Sequence, residues 1–270
     1  MGLLVRIGSM GMAWAVAIGR VTALFVDVCR WLIRAFFDRS VRPTRRDMVW
    51  QLYFVGIESL PVVLATGAFA GLVLAYSFYF QFIKLGVETW TGPLVAKALV
   101  WQLGPVLAGL MLAGRVGSAM AAELGSMVVT EQVDALVCMG VDPVRQLVMP
   151  RVVAFTVMTP ILTAWVMAVG IGSGILLTVY GLGAEAHYIW NQIKSNMIPY
   201  DYVQGLSKSL VFGLLIGLIC CRRGLDTRGG AEGVGKATTE ANVLSCITVL
   251  IMNFWLTMVL HAIGGAFDWI

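Results

Sequence analysis

The sequence predicts an all-α integral membrane protein, on three observations. First, 59% of the residues are hydrophobic and 13% charged, where a soluble domain carries roughly 25% charged residues. Second, the chain contains five long apolar runs, and a membrane-crossing helix needs about 20 such residues. Third, lysine and arginine are unevenly placed: segments 28–50, 115–151 and 222–240 hold thirteen, whereas the intervening side holds only Lys84, Lys97, Lys194 and Lys208. Basic residues accumulate on the cytoplasmic side of a membrane protein, so those three segments are expected inside and the loop around His187–Tyr202 outside.

Residues 1–47 are expected to form an N-terminal interfacial amphipathic helix and a basic linker. Arg6, Arg20, Asp27 and Arg34 fall at multiples of seven. A straight helix drifts only ~20° per heptad, so these charges make one narrow polar stripe, suited to the cytoplasmic interface. A sixth span is the alternative, but it would bury four charges at ~2.5–3.5 kcal/mol each near the bilayer centre. The run RPTRRD (Arg42–Asp47) then leads into a five-span domain, 48–270.

The spans are expected at about 55–80, 95–115, 150–182, 205–222 and 241–266. The first has an apolar core at Leu60–Phe80 opened by Pro61 and preceded by Glu58. The second, Ala98–Gly114, tolerates Gln102 and Pro105. The third, Val152–Gly183, is over-long and should tilt or project. The fourth, Leu206–Cys221, is short and includes Lys208. The fifth, Ala241–Phe267, carries His261 near its end. Five spans from a cytoplasmic N-terminus put the C-terminus on the outer side.

Between the second and third spans lies a loop, 116–149, too long to serve as a mere connection. It is helix-favouring, with Glu123, Glu131, Asp134 and Asp142 set among Arg115, Arg145 and Arg151. Gly140 is expected to end one helix, and Asp142-Pro143 to start the next with Asp as N-cap and Pro at the first helical position. Such a segment reads either as a solvated polar helix pair or as a surface docked into a partner.

Other features weigh against independent chemistry. GGAEGVGKA (Gly229–Ala237) nearly spells a phosphate-binding loop, but Ala237 stands where Ser or Thr would hold magnesium, and no strand precedes it. It is expected to be a glycine-rich turn, with Thr238 or Thr239 as a helix cap. The five cysteines show no metal-like spacing. There is no HExxH or GxSxG, and the small net charge of +4 follows topology, so it gives no reason to expect nucleic acid. No cleavable signal or transit peptide is expected. Gly67/Gly71, Gly170/Gly174 and Gly213/Gly217 stand at i,i+4 spacing, which lets helices approach closely within a chain or between two copies. Gln102 beside Pro105 is the best candidate for a cavity polar group. Lys208 either snorkels to the outer interface or faces a cavity. Tyr76, Phe78, Tyr79, Phe80 and Phe82 form an aromatic belt or line a lipid-tail passage.

Several long motifs together resemble the MlaE/YrbE permease family. They are QLGPVLAGLMLAGRVGSAMAAELGSMVVTEQVDALVCMGVDP (Gln102–Pro143), Pro150–Arg151, Lys208 in SKSLVFG, and GGAEGVGKATTEANV (Gly229–Val243). The resemblance runs through about residues 45–265 in unbroken order. It implies the membrane subunit of an ABC transporter that moves phospholipid between the bacterial inner membrane and the periplasm. The implied partners are a second copy of the chain, a cytoplasmic ATPase that binds ATP and magnesium, a STAS-domain protein and a periplasmic hexamer of MCE-domain subunits. No cofactor is implied in this chain. The resemblance also makes Arg115, Glu123, Glu131, Asp134 and Asp142 the ATPase-coupling residues. Lipid is expected near Leu74, Phe78, Phe82, Leu99, Gln102, Leu103 and Lys208. The family often has Glu where this chain has Gln102, and Gln keeps the hydrogen-bonding capacity but removes the charge. Two rivals stand beside this reading: a membrane-embedded lipid-modifying enzyme and a non-transporting scaffold for periplasmic subunits.

Overall fold

The computed structural model describes residues 19, 21–31, 45–87 and 90–266. Arg6, Arg20 and Arg34 of the expected charge stripe, and most of 1–47, lie outside the described residues. Within that segment the described stretch 21–31 is helical and forms α1. Its Leu24 and Val28, one turn apart, are buried against Leu124, Val148, Val152, Leu218 and Cys221.

The remaining elements are all helical. α2 (Arg45–Gly56) runs through a tight turn at Ile57–Ser59 into α3 (Leu60–Phe82). α4 (Thr91–Ala98), α5 (Gly104–Leu112) and α6 (Ser118–Val129) are joined end to end by π-helical turns at Leu99–Leu103 and Ala113–Gly117. A short α7 (Gln132–Cys138) follows. Then come α8 (Met149–Leu176), α9 (Ala186–Asn196), α10 (Pro199–Leu225) and α11 (Gly230–Ala266). Counting continuous stretches, five helices among the described residues are long and apolar enough to cross a membrane: Arg46–Leu85, Thr91–Val129, Val144–Gly181, Pro199–Leu225 and Gly230–Gly265.

α8 is the central post, packed against α3 on one side and α10 on the other, with α11 and α6 against α10. The three glycine pairs explain this order. A Cβ on Gly71 would lie within 1.9 Å of the Gly170 carbonyl oxygen, and one on Gly174 would lie 3.2 Å from that of Gly71. On the other face of α8, a Cβ on Gly213 would meet the Phe155 carbonyl oxygen at 2.5 Å, and one on Gly217 would meet Val152 Cα at 3.2 Å. All three pairs are therefore used within the chain, where missing side chains let the backbones of α3 and α10 close onto α8.

Several expectations need correction. The fourth span is not short: α10 starts at Pro199, because Asp201 accepts a hydrogen bond from the Ile198 N–H at 3.0 Å and caps the helix. The second span runs on to Val129 as one continuous helical stretch, passing Gly114 through the π-helical turn at Ala113–Gly117 into α6. The glycine-rich segment is a turn only at Gly229 (φ +90°) and Gly230 (φ +69°). From Gly230 it is the first turns of α11, and Thr238 and Thr239 donate back to the Val234 and Gly235 carbonyls instead of capping. Back-bonding to the preceding turn is the usual state of such hydroxyls inside a helix.

The expected loop 116–149 forms α6, α7 and the start of the next span. Gly140 (φ +75°) ends α7 in the left-handed conformation, and Asp142 Oδ1 accepts from the Val144 N–H at 2.8 Å, as the N-cap expectation requires.

Candidate functional site

Pro105 organises the polar site. Inside a helix, proline withholds the N–H that would bond the carbonyl four residues earlier, and its ring clashes with that carbonyl. Here that carbonyl belongs to Trp101. The chain widens into a π-helical turn over Leu99–Leu103, with the Gly104 N–H reaching back to the Leu99 carbonyl. π-turns of this kind are frequent at functional sites.

Lys208 takes up the carbonyl that Pro105 leaves. It lies in the half of α10 nearer α9, wholly buried. Its Nζ donates to the Trp101 oxygen at 2.8 Å and to Thr257 Oγ1 at 2.9 Å. The Thr257 hydroxyl donates to the Asn253 carbonyl at 2.6 Å and accepts from Gln102 Nε2 at 3.3 Å. Asn253 Nδ2 donates to Gln102 Oε1 at 2.9 Å. This neutral knot around one lysine ties the second, fourth and fifth spans together. Two of its polar atoms are buried with no partner, Trp101 Nε1 and Asn253 Oδ1. Beside it, Lys97 Nζ lies 5.2 Å from the centroid of the Trp101 ring.

The apolar residues expected to contact lipid gather next to this knot. Leu99 is buried, and Leu74, Phe78 and Leu103 pack around it with Ala75 and Val95. Phe82 stacks one turn beyond Phe78, with ring centroids 6.0 Å apart. Tyr79 donates to the Leu182 carbonyl at 3.0 Å, fixing this aromatic end of α3 to the end of the third span. A recess of about 580 Å³ lies elsewhere, on α2, lined by Arg46, Asp47, Val49, Trp50 and Tyr53. Sequence reasoning found Gln102 and Lys208 but missed Trp101, Asn253 and Thr257. Asn253 and Thr257, four residues apart in an apolar span, formed a polar stripe that was open to view. The role of Trp101 resides in its backbone and had no such signal.

At the α7 end the expected coupling residues separate into two groups. Arg115 donates to Ser59 Oγ at 3.1 Å and lies 3.7 Å from Glu58, bracing the second span against the first. Glu123 pairs at 2.7 Å with Arg151, which is almost fully buried. Asp142, besides capping its helix, accepts from Trp31 Nε1 of α1 at 3.0 Å, and Arg145 covers the same indole. Glu131 and Asp134 stand exposed on or beside α7. Glu131 has φ +60°, an uncommon conformation for a residue with a side chain. Val137 and Met139 are 57% and 68% exposed, giving this short helix an unpartnered apolar tip. Among the described residues, no cluster of His, Cys, Asp and Glu suited to a metal ion is present.

Among the described residues, five helices long and apolar enough to cross a membrane, three of them tied together by a polar knot, make a multi-span helical membrane protein. The family model described as Permease MlaE matches residues 48–259, and the chain belongs to the MlaE permease family. It is 43% identical over 210 residues to a probable ABC transporter permease protein of Rickettsia felis, covering 78% of this chain and 81% of the relative. It is 35% identical over 218 residues to the intermembrane phospholipid transport system permease protein MlaE of Haemophilus influenzae, covering 80% and 84%. It is also 39% identical over 212 residues to the chloroplastic protein trigalactosyldiacylglycerol 1 of Arabidopsis thaliana, covering 78% and 61%.

Proposed function

We propose that this chain is the permease subunit of an ABC transporter that moves phospholipid between the bacterial inner membrane and periplasmic MCE-domain subunits, and so contributes to outer-membrane lipid asymmetry. The observation that carries this reading is α7. It is a short, exposed helix packed on α6, with acidic Glu131 and Asp134 and an apolar tip, and the ion pairs Arg115–Glu58 and Glu123–Arg151 brace the spans on either side of it. A helix carried on braced spans can pass a push into the bundle. The partner that pushes is a cytoplasmic ATPase, which binds the ATP and magnesium, with a STAS-domain protein beside it.

Two copies of the permease form the transport unit. In that unit the second copy or lipid covers the face of α11 on which Leu250, Ile251, Phe254, Trp255 and Met258 all expose more than half of their surface. Lipid tails lie along the Leu74, Phe78 and Leu103 cluster, near Gln102 and Lys208. The α7 end is cytoplasmic, as is the N-terminus, and the α9 end faces the periplasm. The relative from Haemophilus influenzae, named for intermembrane phospholipid transport, supports the choice of cargo.

The double substitution Glu131→Lys, Asp134→Lys tests this. The expected outcome is a folded, membrane-inserted permease that no longer retains its ATPase on purification and loses ATP-driven lipid transfer to the MCE subunits. Retained transfer with both charges reversed refutes the coupling role. Transfer that never depends on ATP, even in the unaltered protein, refutes the transporter.

A further inference from the structure

A short joint connects α7 to the third span. Gly140 ends α7 in the left-handed conformation, Val141 and Asp142 are non-helical, and the chain re-enters helix through Pro143 and the π-helical turn Val144–Val148. Asp142 sits in this joint and uses both of its carboxylate oxygens. Oδ1 accepts from the Val144 N–H at 2.8 Å, and Oδ2 accepts from the Trp31 indole N–H of α1 at 3.0 Å. The Arg145 guanidinium lies over the same indole, 5.7 Å from its centroid, within reach of cation–π attraction. An anion thus holds the ring at its edge and a cation on its face. Leu24, Val28 and Trp31 stand at i, i+4 and i+7, on one side of α1. Leu24 and Val28 are buried in one cluster with Leu124 of α6 and with Val148 and Val152 of the third span, and Met127, Val144 and Leu147 pack around it. α1 therefore clasps the spans on both sides of α7. Phe25 and Val26, off that side, are exposed, as the outward residues of a helix lying in a bilayer interface are.

Resting on the transporter reading, we infer that Trp31 is a positioning residue for energy coupling. With Asp142 and Arg145 it latches the joint between α7 and α8 to the interfacial helix α1, so that a displacement of α7 moves the third span instead of flexing the joint. Apolar burial is non-directional, so Leu24 and Val28 hold α1 against the bundle without fixing the joint. The bond from the indole to a carboxylate supplies the direction, because a hydrogen bond to an ionised group is short and strong. It acts where the backbone is least constrained, beside a left-handed glycine and a proline that has no N–H to give. The same carboxylate caps the turn that leads into α8. One side chain therefore carries both the start of the central post and its tie to the membrane surface.

The test uses the full chain, copurified with its ATPase and periplasmic subunits and placed in vesicles of phosphatidylethanolamine and phosphatidylglycerol. Phospholipid transferred and ATP hydrolysed are measured together, and their ratio is the readout. Asp142→Asn keeps an oxygen for the Val144 N–H, but its amide nitrogen cannot accept from the indole. Trp31→Phe keeps an aromatic face for Arg145 and loses the donor. Each complex is expected to retain its ATPase and to hydrolyse ATP, while the lipid moved per ATP falls roughly tenfold, the scale of one hydrogen bond to a charged group. The double variant should fall no further than either single one, because both changes remove the same bond. Losses that multiply in the double variant mean that the two side chains act separately, and they overturn the latch. An unchanged ratio in both single variants overturns it as well. Hydrolysis and transfer that fall together, along with the unfolding midpoint, mark a merely structural role and also overturn it. If Trp31→Phe does not insert, the ratio for Asp142→Asn decides alone. An unaltered complex that moves no lipid with ATP overturns the transporter reading itself.

Discussion

At the α7 end of the bundle, Arg115, Arg151, Arg222 and Arg223 each lie between 2.7 and 3.7 Å from a carboxylate: Glu58, Glu123, Asp226 and Glu240 respectively. Nearer the α9 end, Lys208 is more deeply buried than all four of those arginines, yet it rests on a backbone carbonyl and a hydroxyl. The contrast separates two uses of charge. Arg115, Arg151 and Arg223 pair across elements and hold them at fixed distances, while Arg222–Asp226 closes the end of α10, since paired charges cancel locally and their geometry is directional. An unpaired lysine fixes little by Coulomb attraction, but it leaves a net field for something that arrives later. The first arrangement suits a lever and the second suits a binding site.

The largest expected effect comes from breaking the most buried pair. Glu123→Ala leaves the Arg151 guanidinium, 4% exposed, with only the Leu147 carbonyl at 3.0 Å. A buried charge stripped of its partner costs about 3–5 kcal/mol. Arg151→Met should cost less, because the Glu123 side chain it abandons is 45% exposed and turns to solvent. Unfolding midpoints in detergent, followed by tryptophan fluorescence, measure both, and an equal loss for the two variants would mean that burial of Arg151 is not what makes the pair matter. Next in size is Lys208→Met, which removes a cation that no carboxylate compensates. Its cost is the hydrogen bonds that Trp101 and Thr257 lose, about 1–3 kcal/mol, partly offset by the desolvation that methionine avoids. The same assay should rank it below Glu123→Ala. A larger loss would show that the knot is a structural clamp more than a site.

Much of this contrast was legible in the sequence, and the physics says which part. Spans follow from apolar run length, and the glycine pairs at i,i+4 announced close helix approach, which the structure uses on both faces of α8. Asp142-Pro143 and Gly140 marked helix ends through local backbone chemistry, so they could be read without tertiary information. The start of α10 was readable in the same way from Pro199 and Asp201, but the apolar run hid it by beginning later at Leu206. The knot was less legible because its members are about fifty and one hundred residues apart, and one of them is a carbonyl exposed by a proline. Distance likewise hid the Trp31 partner of Asp142, 111 residues away, whereas Arg151 was already in view as a neighbour of Glu123 but not singled out as its partner. In sequence Glu123 and Asp142 belong to an acidic loop with Glu131 and Asp134. In the fold, Glu123 faces Arg151 and Asp142 faces Trp31, which leaves Glu131 and Asp134 as the members of that group that stand exposed and free to meet the proposed partner.

That division yields the smallest and gentlest test, because it needs no destabilising change. Cys138 ends α7 exposed, whereas Cys220 and Cys221 are fully buried. A maleimide added to the folded permease alone should therefore modify Cys138 and spare the buried pair. If an ATPase docks on α7 as proposed, labelling of Cys138 should fall sharply when it is bound and recover when it is removed. The paired arginines predict that this protection extends no further into the bundle. Cysteines introduced in place of Ser126, on the exposed side of α6, should change their labelling less than Cys138 does. Protection at position 126 equal to that at Cys138 would mean that the partner grips the whole loop and that α7 is not the point of contact. Unchanged labelling at Cys138 would remove the lever from the comparison and leave only the field of the unpaired lysine to be explained.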